Sequence, residues 1–327
     1  MAQKKQTVQK EQKGGKVGAV GITSVISAIL FFIAYLMGWV DVSVEGVSGP
    51  ETEGSGQSTV QKIGELDDYA EDELRIHIID VGQGDSIFIQ APSRNILIDA
   101  GEEGYGPTVM GYLDRLGVDS VDVIIATHPH SDHIGDMDYV IKNLRRVGVV
   151  YTGEMPESAI PTTRCYENFL NAIIQKDADF KFATIGTSLK LGENSSLKFV
   201  GPVEPFEEYN NNSLVCRVTF GSQTFLFGGD SSKEAEELLL KKGTDISCDY
   251  MHVAHHGSSS STTQEYLDAV DPKYATISCG EDNSYGHPNS SVVERLEKKN
   301  VEYYRTDISG NIVVVSDGES INIFTEK

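Results

Sequence analysis

Three histidines and an aspartate fall within six residues in the segment Thr127-His128-Pro129-His130-Ser131-Asp132-His133. Imidazole nitrogens and carboxylate oxygens are the donors that Zn²⁺ takes, and that Mn²⁺ or Fe²⁺ also accept. Histidines two apart on a loop can turn toward one ion, while the Asp-His pair that follows reaches a second. Packing so many polar groups at a buried strand end without a ligand would be costly. A further aspartate, Asp230, ends the run Phe225-Leu226-Phe227-Gly228-Gly229-Asp230, and His255-His256 follows 25 residues later. Two divalent ions about 3.5–4 Å apart activate water near neutral pH and stabilise a developing oxyanion or phosphorane, so the chemistry in prospect is hydrolysis.

The elements around these residues repeat. Short β-rich runs at 75–81, 86–90 and 95–99 are separated by turn residues, and the last ends at Asp99. An apolar face formed by Val109, Tyr112, Leu113 and Leu116 predicts a helix, and the strand at 121–127 then delivers His128. In the second half, paired strands at 214–220 and 224–227 lead to Asp230. A helix over 233–242 and a strand over 250–253 then deliver His255 and His256. Two such halves, face to face, predict an α/β (α+β) four-layer αββα sandwich whose aspartate–histidine edges meet at one rim.

The motif H-x-H-x-D-H resembles the signature of the metallo-β-lactamase superfamily, and Leu97-Ile98-Asp99-Ala100-Gly101 resembles its preceding aspartate motif. Further segments resemble the exported hydrolase domain of the ComEC competence proteins: Ile79-Asp80-Val81-Gly82-Gln83-Gly84-Asp85-Ser86, Asn211-Asn212-Ser213-Leu214-Val215, His255-His256-Gly257-Ser258, Tyr285-Gly286-His287-Pro288 and Arg305-Thr306-Asp307. The likeness spans about 75–327. It implies two divalent metal ions, Zn²⁺ or Mn²⁺, as cofactors. His128 and His130 would hold metal one; Asp132, His133 and His255 would hold metal two; Asp230 would bridge them. Asp99 would orient a ligand histidine, or serve only to cap a turn. His256 would contact substrate, or replace His255 as ligand if the register shifts by one. Many members have a third metal-one histidine, yet residues 134–251 contain none. Asn211, Asn212 and Ser213 occupy that stretch, as in ComEC-like relatives. An amide oxygen is a harder, weaker donor, so metal one is expected to be the looser site or to prefer Mn²⁺, and work with a single ion stays open.

For the reaction, Asp132 is placed to hold the nucleophilic water, and His287 to donate to a phosphoryl oxygen or leaving group. Gln83 and Asp85 lie in a glycine-rich turn that either lines the rim or only turns the chain. Phosphate oxygens bridge ion pairs well, so a phosphate ester is the expected substrate. The ComEC likeness implies a nuclease-like phosphodiesterase, possible partners including DNA; uptake, which belongs to those proteins' multi-helix membrane domains, is not carried over. The alternatives are a phosphorylcholine-type esterase of the cell envelope and a metal-binding surface protein with little turnover. The chain carries 27 basic and 49 acidic residues, a net −22. Residues 1–16 are locally +4, which leaves −26 on the remainder. So acidic a surface weighs against non-specific nucleic-acid binding and toward the envelope ester.

The first residues predict a location. After the basic tail at 1–16, Val17 to Val40 run for 24 residues without a formal charge. As a helix this spans ~36 Å, enough to cross a hydrocarbon core. Lysines on one side and acids on the other predict a cytoplasmic N-terminus and an extracellular hydrolase domain on a single-pass anchor in the cell membrane. A cleavable signal peptide fits less well, because the run is long and no A-x-A-like site follows. Residues 41–74, acidic and rich in Gly and Ser, read as a tether to a hydrolase domain at 75–327. The cysteines Cys165, Cys216, Cys248 and Cys279 show no ligand spacing and read as buried thiols, with disulfides left open. Protease added to intact cells should therefore release a fragment close in size to residues 41–327. Resistance until the cells are lysed would show the topology to be wrong.

Overall fold

The computed structural model describes residues 61–66 and 68–327. The basic tail, the expected anchor and most of the expected tether lie outside these residues. No helix among the described residues is long and apolar enough to cross a membrane.

The β-branched runs fold as strands within a residue or three of their expected limits. In chain order they are β1 (Gln61–Lys62), β2 (Leu74–Ile78), β3 (Ile87–Ala91), β4 (Arg94–Ile98), β5 (Ser120–Ala126), β6 (Arg146–Gly153), β7 (Asp179–Ala183), β8 (Ser188–Gly192), β9 (Ser195–Gly201), β10 (Val215–Phe220), β11 (Gln223–Phe227), β12 (Tyr250–His252), β13 (Tyr274–Ile277), β14 (Glu302–Arg305), β15 (Ile312–Ser316) and β16 (Ile321–Thr325). They form a nine-stranded sheet, β1-β16-β15-β2-β3-β4-β5-β6-β7, and a seven-stranded one, β14-β13-β12-β11-β10-β9-β8. Helices α1 (Gly106–Arg115), α2 (Ser131–Ile134), α3 (Met137–Asn143), α4 (Arg164–Lys176), α5 (Lys233–Lys242), α6 (Gln264–Val270), α7 (Ser290–Lys298) and α8 (Thr306–Ser309) complete the order.

Side-chain alternation makes the layers, because successive residues of a strand face opposite sides. In β5, Val123 and Ile125 enter a core shared by both sheets, while Ile124 and Ala126 join Val109 and Leu113 of α1 and Val140 and Ile141 of α3. In β11, Phe225 and Phe227 face the shared core, and Leu226 packs outward with Leu239 of α5, Leu267 of α6 and Leu296 of α7. Three apolar cores separated by two sheets are the four-layer arrangement expected from the repeat. The repeat holds in register too. β4 pairs parallel with β5 across α1, and β11 pairs parallel with β12 across α5. Both aspartate-bearing strands thus end beside a histidine-bearing neighbour.

One sequence expectation needs amendment. Folded structure begins before 75, since Gln61 and Lys62 pair in parallel with Phe324 and Thr325 of β16, and β2 starts at Leu74. A two-residue strand has no periodicity to read. The cysteines are free thiols as read, with Cys216, Cys248 and Cys279 buried and Cys165 half-buried.

A buried imidazole lies away from the site, on β2. His77 Nδ1 is 3.0 Å from the Tyr112 hydroxyl and its Nε2 is 2.9 Å from Gln90 Oε1, which suits a neutral ring that accepts from the phenol and donates to the amide oxygen. Burial, helped by the Arg75 charge and opposed by the Gln90 hydrogen bond, pushes its pKa down to about 4. The unfolded ring takes a proton near 6.5 and the folded one does not, so stability is lost as pH falls from 6.5 toward 4, by ~3 kcal/mol in all. His77→Gln should flatten that part of the stability–pH curve in denaturant titrations. Equal slopes in parent and variant would remove His77 from the account.

Candidate metal centre

The site lies where parallel strands end. Asp99 follows β4, the 128–133 loop follows β5, Asp230 follows β11, and His255 and His256 follow β12. Asp99 is fully buried at φ 54°. Its carboxylate accepts from the Thr127 amide (2.8 Å), the Thr127 hydroxyl (2.6 Å) and His133 Nδ1 (2.7 Å). Because Thr127 spends its hydroxyl proton on Asp99, it accepts from His128 Nδ1 at 3.2 Å. One aspartate thus fixes two imidazoles with Nδ1 protonated and Nε2 bare, the arrangement a metal ligand needs. Asp99 is a positioning residue.

The bare nitrogens converge on Asp230, itself 2% exposed. His133 Nε2 lies 3.2 Å from Asp230 Oδ1, and both atoms are buried with no hydrogen-bond partner. Atoms held so close call for positive charge between them, a proton on the imidazole or a metal cation in its place. The donor atoms of Asp132, His133, Asp230 and His256 all lie within 4.8 Å of one another, as do those of His128, His130 and Asp230. In the second group, His128 Nε2 and His130 Nδ1 are 3.0 Å apart.

The backbone is shaped for this convergence. At Gly229, φ is 50°, and a Cβ would stand 3.0 Å from the Cβ atoms of Ser213 and Thr127. Glycine therefore lets the two halves close up. Ser213 Oγ accepts from the Asp230 amide, and the Leu214 amide donates to the Thr127 carbonyl, tying the sheets together beside the site.

Charge reports the same need. Burial would raise Asp230, but the imidazoles of His133, His256 and His128 hold its carboxyl well below the usual range. Asp132 likewise falls to about 2 against burial, through His256 and His133. In the opposite sense, burial disfavours the charged rings, yet Asp230 and Asp99 raise His133 well above 6.5, and Asp230, Asp132 and Asp85 raise His256 to about 10. Without metal the pocket holds two protons as its positive charge. Divalent ions fit the same place.

The structure redistributes several expected roles. The imidazole grouped with Asp132 and His133 is that of His256, not His255. His256 Nδ1 lies 3.1 Å from the Ser278 carbonyl, and its Nε2 is 3.3 Å from Asp132 Oδ2. His255 turns to the other side of Asp230, 3.7 Å from Oδ2. Asn211 and Asn212 do not face the centre. The Asn211 amide is spent on Glu234 and the Ser232 amide, and that of Asn212 on Phe206 and Glu208. Asn210 does come near, with Nδ2 3.3 Å from His255 Nε2. Asp85 is buried, not on the rim. Gly84 leaves no room for a Cβ, which would stand 2.4 Å from the Asp132 carbonyl, so the turn tucks beneath the histidine loop. There Asp85 Oδ1 is 3.2 Å from His252 Nε2 and 3.5 Å from His256 Nδ1. Gln83 does reach the opening. Its Nε2 donates to His287 Nδ1 at 3.3 Å, and its Oε1 accepts from the Gly280 amide. The His287 ring is 5.8 Å from that of His255, and its pKa is lowered by burial and by the charges of His256 and His255.

The family model described as the metallo-beta-lactamase superfamily matches residues 79–281. The chain belongs to the metallo-beta-lactamase superfamily. Its ComEC-type character is shown by two relatives. ComE operon protein 3 of Bacillus subtilis (strain 168) is 29% identical over 259 residues, covering 73% of this chain and 33% of that protein. Competence protein ComA of Neisseria gonorrhoeae is 30% identical over 242 residues, covering 73% and 32%. The chain thus spans about a third of the length of these relatives. Among solved structures, the metallo-beta-lactamase fold protein YhfI of Bacillus subtilis has a TM-score of 0.49 at 13% identity, covering 71% of this chain and 95% of that one.

Within this superfamily fold the chain has residues that sequence reading passed over. His252 was read only as strand, and Asn210 stands one position before the quoted motif. Thr127 was read as the strand's last residue, although its hydroxyl links His128 to Asp99. The polar residue directly before the first motif histidine was the available signal.

Metal must displace the protons on His133 and His256. Apparent affinity should therefore rise with pH through 6–8, by up to ~tenfold per unit for each proton released. Calorimetry with Mn²⁺ in buffers of different ionisation heat measures that release. Affinity independent of pH, with no protons released, would contradict this charge balance.

Proposed function

We propose that this superfamily member is a membrane-anchored, extracellular metal-dependent phosphodiesterase, nuclease-like in its substrate. The observation that carries the metal dependence is the buried, unpartnered pair of His133 Nε2 and Asp230 Oδ1 at 3.2 Å. His128, His130 and Asp230 would hold one Zn²⁺ or Mn²⁺, and Asp132, His133, His256 and Asp230 the other. When bound, such ions supply a nucleophilic water at neutral pH and neutralise charge on a phosphoryl group.

The chain's own residues would do the rest. Asp132, whose side chain is 30% exposed and stays ionised, orients the water and takes its proton. His287 accepts at Nδ1 from Gln83, so a neutral ring carries its proton on Nε2 and presents it as a hydrogen-bond donor to the leaving oxygen. Asn283 clamps this loop from both sides, accepting from the His287 amide and donating to its carbonyl. Tyr285, 71% exposed, stacks on His287 at 5.6 Å and offers a nucleobase or similar flat group a face beside the centre. The basic tail and the uncharged stretch that follows support the anchored placement. The strongly acidic remainder favours a second reading, a phosphodiester of the cell envelope, because it repels long polyanions.

The full-length chain, loaded with Mn²⁺ or Zn²⁺, should hydrolyse bis-p-nitrophenyl phosphate and single-stranded DNA. Asp132→Asn should lower kcat by ~10²-fold or more. Turnover of the small diester without DNA cleavage would select the envelope reading. Hydrolysis of a cephalosporin alone would overturn both.

A further inference from the structure

Asp230 divides its two oxygens between two sets of imidazoles. Oδ1 faces His133 Nε2 at 3.2 Å and His256 Nε2 at 3.6 Å. Oδ2 faces His128 Nε2 at 3.7 Å and His255 Nε2, also at 3.7 Å. Donors ~2.1 Å from one tetrahedral ion stand ~3.4 Å apart, so each oxygen is flanked by nitrogens at about the spacing of ligands sharing an ion. The adjacency of His255 and His256 makes this division, since both have φ 54°. That left-handed turn splays their rings, which stand 6.2 Å apart at 73°. Each ring is anchored through Nδ1, His255 against Ser260 Oγ at 3.3 Å and His256 against the Ser278 carbonyl at 3.1 Å. Both Nε2 atoms are thereby turned to Asp230, on opposite sides.

Resting on the two-metal reading above, we infer that His255 is a ligand of the ion on the Oδ2 side, the third imidazole beside His128 and His130. It stands outside their compact group, with its side chain 21% exposed. Asn210 stands on the ligating side of the same ring. Its Nδ2 is 3.3 Å from His255 Nε2, and its Oδ1 is buried without a hydrogen-bond partner. A half-turn of that amide presents an oxygen, the end that serves a cation. The pair His255-His256 then does the work of two histidines from separate segments, and the stretch 134–251 needs none. With three imidazoles and a carboxylate on one side, and two imidazoles and two carboxylates on the other, the sites are matched in donor number. Neither is the deficient one that the sequence implied.

Metal content of the full-length protein tests this, by native mass spectrometry and by titration with Co²⁺ followed through its visible absorption. The parent should hold two ions of comparable affinity. His255→Ala and His256→Ala should each lose one, with binding at the lost site weakened by more than the ~10–100-fold typical of outer-shell changes. The double variant His128→Ala/His255→Ala should still keep one ion, because both changes strike the same site. His255→Ala/His256→Ala should keep none. His255→Gln, close in size but without the imidazole, gives the same reading if the alanine variant does not fold. Two ions at unchanged affinity in the His255 variants overturn the inference alone, as does loss of both ions from His128→Ala/His255→Ala. A parent that binds no ion overturns the two-metal reading as well.

Discussion

A carboxylate sealed among imidazoles governs this structure. Asp230 is almost wholly withdrawn from water, and a lone buried charge of that kind is prohibitive unless positive charge meets it. His133 and His128 come from the nine-stranded sheet, His255 and His256 from the seven-stranded one, and all four turn a ring nitrogen toward it. Neither half of the domain has a complete set. The layers between them serve to bring four strand ends to one point, and the apolar core shared by the two sheets is what holds that point still.

Around the centre lies a ring of groups that touch no reacting atom. Asp99 orders His133 and, through the Thr127 hydroxyl, His128. On the far side Asp85 stands behind His256 and also meets His252, whose Nδ1 is 2.9 Å from Thr276 Oγ1. The two aspartates stand in comparable relation to their own clusters, one at the end of β4 and the other in the turn before β3. Orientation is thus imposed from two directions on rings that must not rotate.

Much of this was legible in the sequence, and the limits are instructive. Strand ends were readable because β-branched runs stop at glycine and aspartate, which is how Asp99, His128 and Asp230 came to be placed together. Ring direction was not readable. Whether His255 or His256 faces Asp132 depends on two left-handed residues in succession, and composition does not announce them. The asparagine stretch failed for a related reason. The amides of Asn211 and Asn212 are consumed locally by Glu234 and the 206–208 turn, a use decided by tertiary packing. The burial of Asp85 was not readable because a glycine-rich turn reads as surface, whereas Gly84 allows this one to slide under the Asp132 backbone.

The short strand β1 has a consequence of a different kind. By pairing in parallel with β16, it sets Gln61 beside Phe324 and Lys62 beside Thr325. The described domain is therefore entered and left at one corner of its larger sheet. A unit whose ends meet is portable: it can be spliced into a longer polypeptide, or carried on a leash, without unpicking a strand.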